Sequence, residues 1–191
     1  MTAPVFILGF DTSAGHCAVA VMRDGVVLEH IGEDMKKGQA ERLMGLIDDV
    51  MQRCGVAYSD LSAIGIGIGP GNFTGIRIGV SAARGLALGL GIPAYGVDGF
   101  DQRALCHPDA PYQCVPAPRD QMYVRAQGSA ALQPRADLEN IPDEPSPAAL
   151  AKAVALVAHS RWPAPSSAPA PYYLRAPDAA PARDAPPKIL P

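Results

Sequence analysis

The sequence predicts an α/β domain with a mixed five-stranded sheet and flanking helices, followed by a reduced second lobe rich in proline and alanine. Between residues 5 and 105, short apolar runs alternate with helical patterns, which is the order of strands and helices packed around one core. Only three of the twenty prolines precede residue 106, and crowded prolines are typical of loose or linker-like segments. We therefore expect an α/β domain over 1–106, the reduced lobe over 107–175 and a proline-rich tail without regular structure over 176–191.

Three meandering strands open the predicted domain. Residues 5–10 form a continuous apolar run, which suits a central strand buried on both faces. Residues 17–22 and 26–31 are the next two strands, joined by a turn that contains the pair Asp24-Gly25, a favoured hairpin signal. Three such strands followed by a helix are typical of the start of an RNase H-like or actin-like fold.

Two more strands are predicted at 63–68 and 92–97, and a short helix follows through Leu105. In the first of these strands glycine alternates with isoleucine, so one face of the strand is flat. A helix can therefore lie close against that face.

The two predicted long helices, 39–54 and 74–90, have more apolar surface than one sheet can cover. In the first, apolar side chains span an arc of roughly 160°, whereas a helix that only covers a sheet needs about 100°. In the second, the only polar side chains between 77 and 90 share one narrow stripe. Both helices therefore predict a second neighbour, because an exposed apolar patch usually marks a partner site. The predicted partner interface consists of Ala40, Met44, Ile47, Met51, Arg77, Val80, Ala83 and Arg84.

Composition and charge narrow the classes of function. The formal net charge is −3, whereas a broad nucleic-acid surface needs an excess of Lys and Arg. No apolar run approaches the roughly 20 residues that cross a bilayer, and the first residues lack the charged region of a signal peptide. The four cysteines form no CxxC pair, which indicates reduced thiols. We therefore predict a cytoplasmic protein that meets RNA only indirectly and has no membrane partner.

Two turns are candidates for phosphate chemistry. Asp11-Thr12-Ser13 ends the first strand, where actin-like kinases and ATPases carry an acidic residue near the metal–phosphate group. The turn from Gly69 to Gly75 precedes the second long helix, and such turns expose backbone N–H groups to an anion. The competing interpretation is that Asp11 and Thr12 bond the neighbouring turn amides and that the glycines permit tight packing. The candidate cofactor-binding residues are Asp11, Thr12, Gly71 and Thr74.

The sequence nominates no catalytic residue and no metal ligand. A nuclease of the RNase H-like kind needs several carboxylates to hold its metal ions, and the fourth strand carries none. The histidines show no HxxxH or HExxH pairing, so each is interpreted as an ordinary surface or loop histidine. These histidines are His16, His30, His107 and His159.

Three stretches closely resemble the TsaB family. They are ILGFDTS at 7–13, QAERL at 39–43 and above all GPGNFTGIRIG at 69–79. The similarity runs almost continuously from Val5 to about Leu105, and PYYLR at 171–175 resembles the family's terminal P-x-YLR motif. The TsaB family is the accessory subunit of the bacterial system that makes threonylcarbamoyladenosine in tRNA.

The resemblance implies an actin-like fold and a non-catalytic subunit required for threonylcarbamoylation of the tRNA adenosine beside the anticodon. The partner that it implies is a TsaD-like catalytic subunit bound through the two long helices; a homodimer and a TsaE-like ATPase are further partners in this hypothesis. It implies no cofactor in the isolated subunit and leaves open whether ATP or ADP binds at an interface with partners. The alternatives are a stand-alone actin-like ATPase or small-molecule kinase and a metalloprotease; the missing histidine pair disfavours the protease.

Overall fold

The structure, a computed structural model, describes residues 3–175. A five-stranded sheet with the order β3-β2-β1-β4-β5 forms its centre. Neighbouring strands are antiparallel between β1, β2 and β3 and parallel between β1, β4 and β5, so the predicted mixed sheet is confirmed. The strands are β1 (Phe6–Asp11), β2 (His16–Arg23), β3 (Val26–Asp34), β4 (Leu61–Gly67) and β5 (Ala94–Val97).

Three helices alternate with or follow these strands: α1 (Gln39–Cys54), α2 (Phe73–Leu90) and α3 (Gly99–Cys106). α1 has the predicted bounds and ends at Gly55, whose φ of 64° is a left-handed conformation that glycine adopts at little cost. α2 begins one residue before the predicted start. Its cap is Asn72, whose side-chain oxygen accepts a hydrogen bond from the Gly75 N–H at 3.0 Å.

One face of the sheet is covered by α1 and α2. Phe10 of β1 and Ile66 of β4 are fully buried there, against Leu46 of α1 and Ile76 of α2. Removing such large apolar side chains from water is the main source of folding free energy for this half of the molecule. This layer is the one that the helical patterns predicted.

The opposite face is covered by a helix that the sequence analysis did not predict, α4 (Pro147–Arg161). α4 packs closely on three glycines that lie on three different strands, Gly9, Gly32 and Gly65. A Cβ added to any of them would lie under 3.0 Å from atoms of α4. Glycine in a strand often marks such a close approach. The flat face predicted on β4 is therefore present, and α4 is the helix that uses it. In the sequence, α4 lies within the stretch assigned to the second lobe.

A second sheet follows α3 and has three antiparallel strands in the order β6-β7-β8. It packs against α3 through an apolar cluster of Phe100, Val115 and Tyr123. Two short 3-10 turns complete the described elements, Tyr58–Asp60 and Arg135–Asp137. The strands are β6 (Gln113–Ala117), β7 (Gln121–Ala126) and β8 (Ser129–Pro134).

Asp101 of α3 ties the small sheet and α4 together. Arg125 of β7 donates a hydrogen bond to its carboxylate at 2.7 Å, and Arg161 of α4 donates another at 3.0 Å. Because each of these hydrogen bonds is also an ion pair, both are stronger than bonds between neutral groups. These two ion pairs thus hold the small sheet and α4 against α3.

All four cysteines are free. None of the helices between residues 3 and 175 combines the length and the apolarity needed to cross a bilayer. The predicted proline-rich tail, 176–191, lies outside the described residues, and the boundary between the domain and the second lobe stays a prediction.

Candidate functional site: a helix-pair surface beside a closed aspartate turn

The carboxylate of Asp11 is enclosed by hydrogen bonds within the protein. Asp11 is fully buried and accepts hydrogen bonds from the backbone N–H and the hydroxyl of Ser13, at 2.7 and 2.8 Å. The side-chain amide of Gln102 donates to its other oxygen at 2.9 Å. His16 Nε2 lies 2.9 Å from the oxygen that Ser13 bonds. The side chain of Asp11 is therefore paired on both oxygens. The Ser13 N–H is a neighbouring turn amide of the kind that the competing interpretation names, whereas Gln102 and His16 are partners that it did not include.

The prediction that His16 is an ordinary surface or loop histidine is wrong. His16 begins β2 and is buried beside Asp11. A buried carboxylate is stable only with charged or hydrogen-bonding partners, and His16 is one of the partners of Asp11. Burial raises the pKa of Asp11, but the hydrogen bond and charge of His16 and the hydrogen bonds of Ser13 outweigh burial and lower it to about 2. Asp11 is thus a carboxylate at neutral pH.

The glycine turn before α2 packs directly on this aspartate turn. An added Cβ on Gly71 would lie 2.1 Å from the Ser13 carbonyl oxygen, and one on Gly75 would lie 2.0 Å from that of Thr12. The Asn72 N–H donates to the Ser13 carbonyl at 2.6 Å, and the Thr12 hydroxyl donates to the Gly75 carbonyl at 2.7 Å. The glycines therefore permit close packing, and two of the turn's polar groups are already used.

The four candidate cofactor residues do not form one open site. The side chains of Asp11 and Thr12 are buried, Gly71 is half-buried and Thr74 is exposed. Within residues 3–175, no group of three His, Cys, Asp or Glu side chains is arranged to hold a metal ion. A carboxylate that already has these internal partners is poorly suited to organise a metal–phosphate group.

Four of the eight predicted interface residues lie in the hydrophobic core and not on the surface. α1 and α2 contact each other as well as the sheet, so much of their surplus apolar arc is used inside the domain. For these residues the surplus apolar surface is covered inside the domain, in the core cluster that α1 and α2 form with the sheet. The buried four are Ile47, Met51, Val80 and Ala83, each at most 4% exposed.

The other four predicted residues are exposed and lie on α1 and α2. Met44 of α1 is 41% exposed, and Leu88 of α2, which the sequence analysis did not name, is 86% exposed. α2 carries no acidic residue, and its two arginines form no ion pair within the described part of the chain. We call these exposed residues the helix-pair surface: Ala40, Met44, Arg77, Arg84 and Leu88.

The PYYLR segment at 171–175 borders the helix-pair surface. The Tyr172 N–H donates to the Ile68 carbonyl at 2.8 Å, which fixes the segment beside the end of β4. The next ring, Tyr173, stacks on Phe73 at 4.7 Å between centroids. Resemblance alone singled out this motif in the sequence, and no local pattern predicts its contact with α2.

The sequence is similar to that of proteins named TsaD and TsaB. The family model described as TsaD, tRNA N6-adenosine threonylcarbamoyltransferase, matches residues 30–107. The tRNA threonylcarbamoyladenosine biosynthesis protein TsaB of Escherichia coli K12 is 40% identical over 91 residues, which are 48% of this chain and 39% of that protein. The chain spans less than half the length of the curated TsaB relatives that it matches.

Two solved structures are similar over most of the described chain. YeaZ from Pseudomonas aeruginosa has a TM-score of 0.67 and 27% identity, and the match covers 83% of this chain and 92% of that one. An uncharacterised protein, described as similar to the peptidase YeaZ from Pseudomonas aeruginosa, has a TM-score of 0.73 at 27% identity, with 90% and 100% covered.

The strand order and these structural neighbours define the class of protein: an α/β protein with an actin-like, RNase H-like fold. Within that class, the resemblance to the TsaB family that the sequence motifs indicated is confirmed.

Proposed function

We propose that the chain is a non-catalytic subunit required for threonylcarbamoylation of the tRNA adenosine beside the anticodon, and that it pairs with a TsaD-like catalytic subunit through α1 and α2. The observation that carries the proposal is the helix-pair surface. It comprises an exposed methionine, an exposed leucine and two exposed arginines on two helices that contact each other, and exposed large apolar side chains, Met and Arg are typical of partner sites.

The choice of partner is supported by where the similarity to TsaD falls. The matching residues, 30–107, contain both α1 and α2, so a TsaD-like subunit has a related pair of helices. Two related helix pairs can pack about an approximate two-fold axis, as identical surfaces do in a symmetric dimer. The same geometry extends the proposal to a homodimer of the free chain.

The remaining parts of the proposal follow from charge and from the aspartate turn. With a formal net charge of −3, the chain meets tRNA mainly through its partner, in the cytoplasm. ATP or ADP binds only at an interface with partners, where a TsaE-like ATPase is a further component. A stand-alone ATPase or kinase is disfavoured because both oxygens of Asp11 have internal partners.

The decisive variant is Met44→Asp. An unpaired carboxylate buried in an interface costs several kcal/mol, so we expect affinity for the TsaD-like subunit of the same cell to fall by more than about a hundredfold. The melting temperature should stay near that of the wild type, because Met44 is exposed in the free chain. Binding is measured by calorimetry on purified proteins, and tRNA modification is measured in the reconstituted system.

The matched control is Leu105→Asp on α3. Leu105 is 50% exposed and lies on a helix that contributes nothing to the helix-pair surface, so this variant should bind and function normally. Folded Met44→Asp protein that still binds the partner and supports modification would place the interface elsewhere.

A second expectation concerns the isolated chain, which should show no ATPase, protease or threonylcarbamoyl-transferase activity. The buried and paired Asp11 supports this expectation, since it leaves no free carboxylate at the turn. Phosphate release and peptide cleavage are measured with magnesium or zinc present. Metal-dependent turnover that disappears in Asp11→Asn would contradict it.

A further inference from the structure

The last described residues run alongside α2. The Tyr95 hydroxyl donates to the Ala164 carbonyl at 2.7 Å, where the segment leaves α4. Ser166, Ala168 and Pro169 line a cavity of about 590 Å³ with the C-terminal end of α2, and Tyr173 stacks on Phe73 at the N-terminal end. An extended chain rises roughly 3.3 Å per residue against 1.5 Å in a helix, so these few residues are long enough to follow α2. We call residues 166–175 the strap.

Tyr173 holds the side chain of Arg77. The Arg77 Nε donates a hydrogen bond to the Tyr173 hydroxyl at 3.1 Å, and its guanidinium lies 3.9 Å from the centre of the Phe73 ring. The rings of Tyr173 and Phe73 are stacked with 28° between their planes. A long, exposed arginine otherwise samples many rotamers, and fixing one of them before binding reduces the entropy lost on association.

Among the described residues, no carboxylate pairs with the arginine that is held in this way. Arg77 has a hydroxyl and a ring as partners, but it forms no ion pair among residues 3–175. Arg84, also on α2, has none either, and α2 contains no Asp or Glu. A positive strip without local acids suits a partner that presents acidic side chains, because complementary charge steers and orients association.

We infer that the strap is part of the surface that binds the TsaD-like subunit, and that Tyr173 is a positioning residue that holds Arg77 toward an acidic side chain of that subunit. The inference rests on the proposed function and extends its interface beyond the two helices. At the other end of the strap, Pro169 and Ala168 form the apolar cavity with Leu88 and Ile92. This cavity gives an apolar side chain of the same partner a place beside α2.

The test compares Tyr173→Phe with Tyr112→Phe in the full chain. Tyr173→Phe keeps the ring that stacks on Phe73 and removes only the hydroxyl that bonds Arg77. Because Arg77 must then lose its rotamer freedom when the partner binds, the variant should bind the TsaD-like subunit about three- to tenfold more weakly. Tyr173→Ala, which also loses the ring contact, should weaken it about tenfold or more. Tyr112→Phe also removes a hydroxyl that donates one hydrogen bond, to the Glu139 carbonyl, but Tyr112 lies outside α1, α2 and the strap, so this variant should bind as the wild type does.

A double-mutant cycle with Arg77→Gln separates positioning from simple attachment of the strap. If Tyr173 acts through Arg77, the hydroxyl deletion changes affinity in the wild type and has no further effect in Arg77→Gln. Binding of Arg77→Gln should also depend less on salt, because one charge pair with the partner is gone. The alternative is that the strap only packs on α2 and does not act through Arg77. These variants would then change the melting temperature, but the effects of Tyr173→Phe and Arg77→Gln on binding would not be coupled.

The outcomes distinguish this inference from the proposed function. Wild-type affinity of both Tyr173 variants, together with loss of binding in Met44→Asp, would overturn the role of the strap and leave the helix-pair interface intact. Wild-type affinity in all of these variants, Met44→Asp included, would overturn both.

Discussion

Gly9→Ala should lower the melting temperature of the protein by about 6 to 12 °C. The new Cβ would lie 2.6 Å from the backbone nitrogen and 2.8 Å from the Cα of Ala155 in α4. Backbone atoms cannot rotate away as a side-chain tip does, so α4 must move off the sheet. Overpacking of this kind costs about 3 kcal/mol, and each kcal/mol lowers the melting temperature of a chain of this size by about 2 to 4 °C.

Gly85→Ala is the matched control for this prediction. A Cβ on Gly85 meets no atom within 4 Å, and alanine is favoured over glycine inside a helix by about 0.5 to 1 kcal/mol. This control should therefore melt slightly above the wild type when both are followed by circular dichroism. If Gly9→Ala melts within a degree of the wild type, α4 does not rest on β1 as described.

Asp11→Ala should destabilise the protein by about 3 to 5 kcal/mol. The substitution leaves the Ser13 N–H and the Ser13 hydroxyl without their acceptor, and the Gln102 amide keeps only the Val97 carbonyl, at 3.4 Å. It also leaves His16 without its carboxylate. Removing one member of a buried charged cluster costs this much because the other members stay desolvated and unpaired. Chemical denaturation at pH 7 measures the loss.

The pH dependence of stability provides an independent check on Asp11. Its pKa is lowered to about 2 in the folded protein, against about 3.9 in an unfolded chain. The resulting stabilisation, about 2.6 kcal/mol, is fully present above about pH 5 and is lost progressively as the pH falls through the folded pKa toward about pH 1. Asp11→Asn, which cannot ionise, should lack this part of the acid dependence.

Asp109→Ala serves as the control for the aspartate substitution. Asp109 is exposed, and exposed substitutions usually change stability by less than about 0.5 kcal/mol. If Asp11→Ala is as stable as this control, the hydrogen bonds of the aspartate turn do not hold the domain together, and a role for Asp11 at a partner-shared nucleotide site would have to be reconsidered.

The elements of the first domain could be predicted because their sequence signals are local. β1 is a continuous apolar run, and α1 ends where Gly55 takes a left-handed conformation. α4 could not be found in the same way, because its own alanines and valines occupy all sides of the helix and leave no clear polar face. A weaker signal was present at its start, where Ser146 caps the helix and Pro147 occupies its first turn.

The candidate site was predictable only in part, for a similar reason. The width of an apolar arc shows that a helix has surplus apolar surface, but it does not show which neighbour covers that surface. For Ile47 and Ala83 the neighbour is inside the domain, whereas Met44 and Arg77 face outward. Tyr173 and Arg77 meet only because the strap returns along α2, and contacts so distant in sequence leave no local pattern.

The close packing of α4 on Gly9, Gly32 and Gly65 also affects how the chain folds during synthesis. β1 is synthesised long before α4, and its second face is covered only when α4 packs on it, so native contacts of the sheet join residues that are far apart in the described sequence. Such high contact order slows folding, and a half-made α/β layer with one bare apolar face is prone to aggregate. We therefore expect the partly synthesised chain to be prone to aggregation until α4 packs on the sheet.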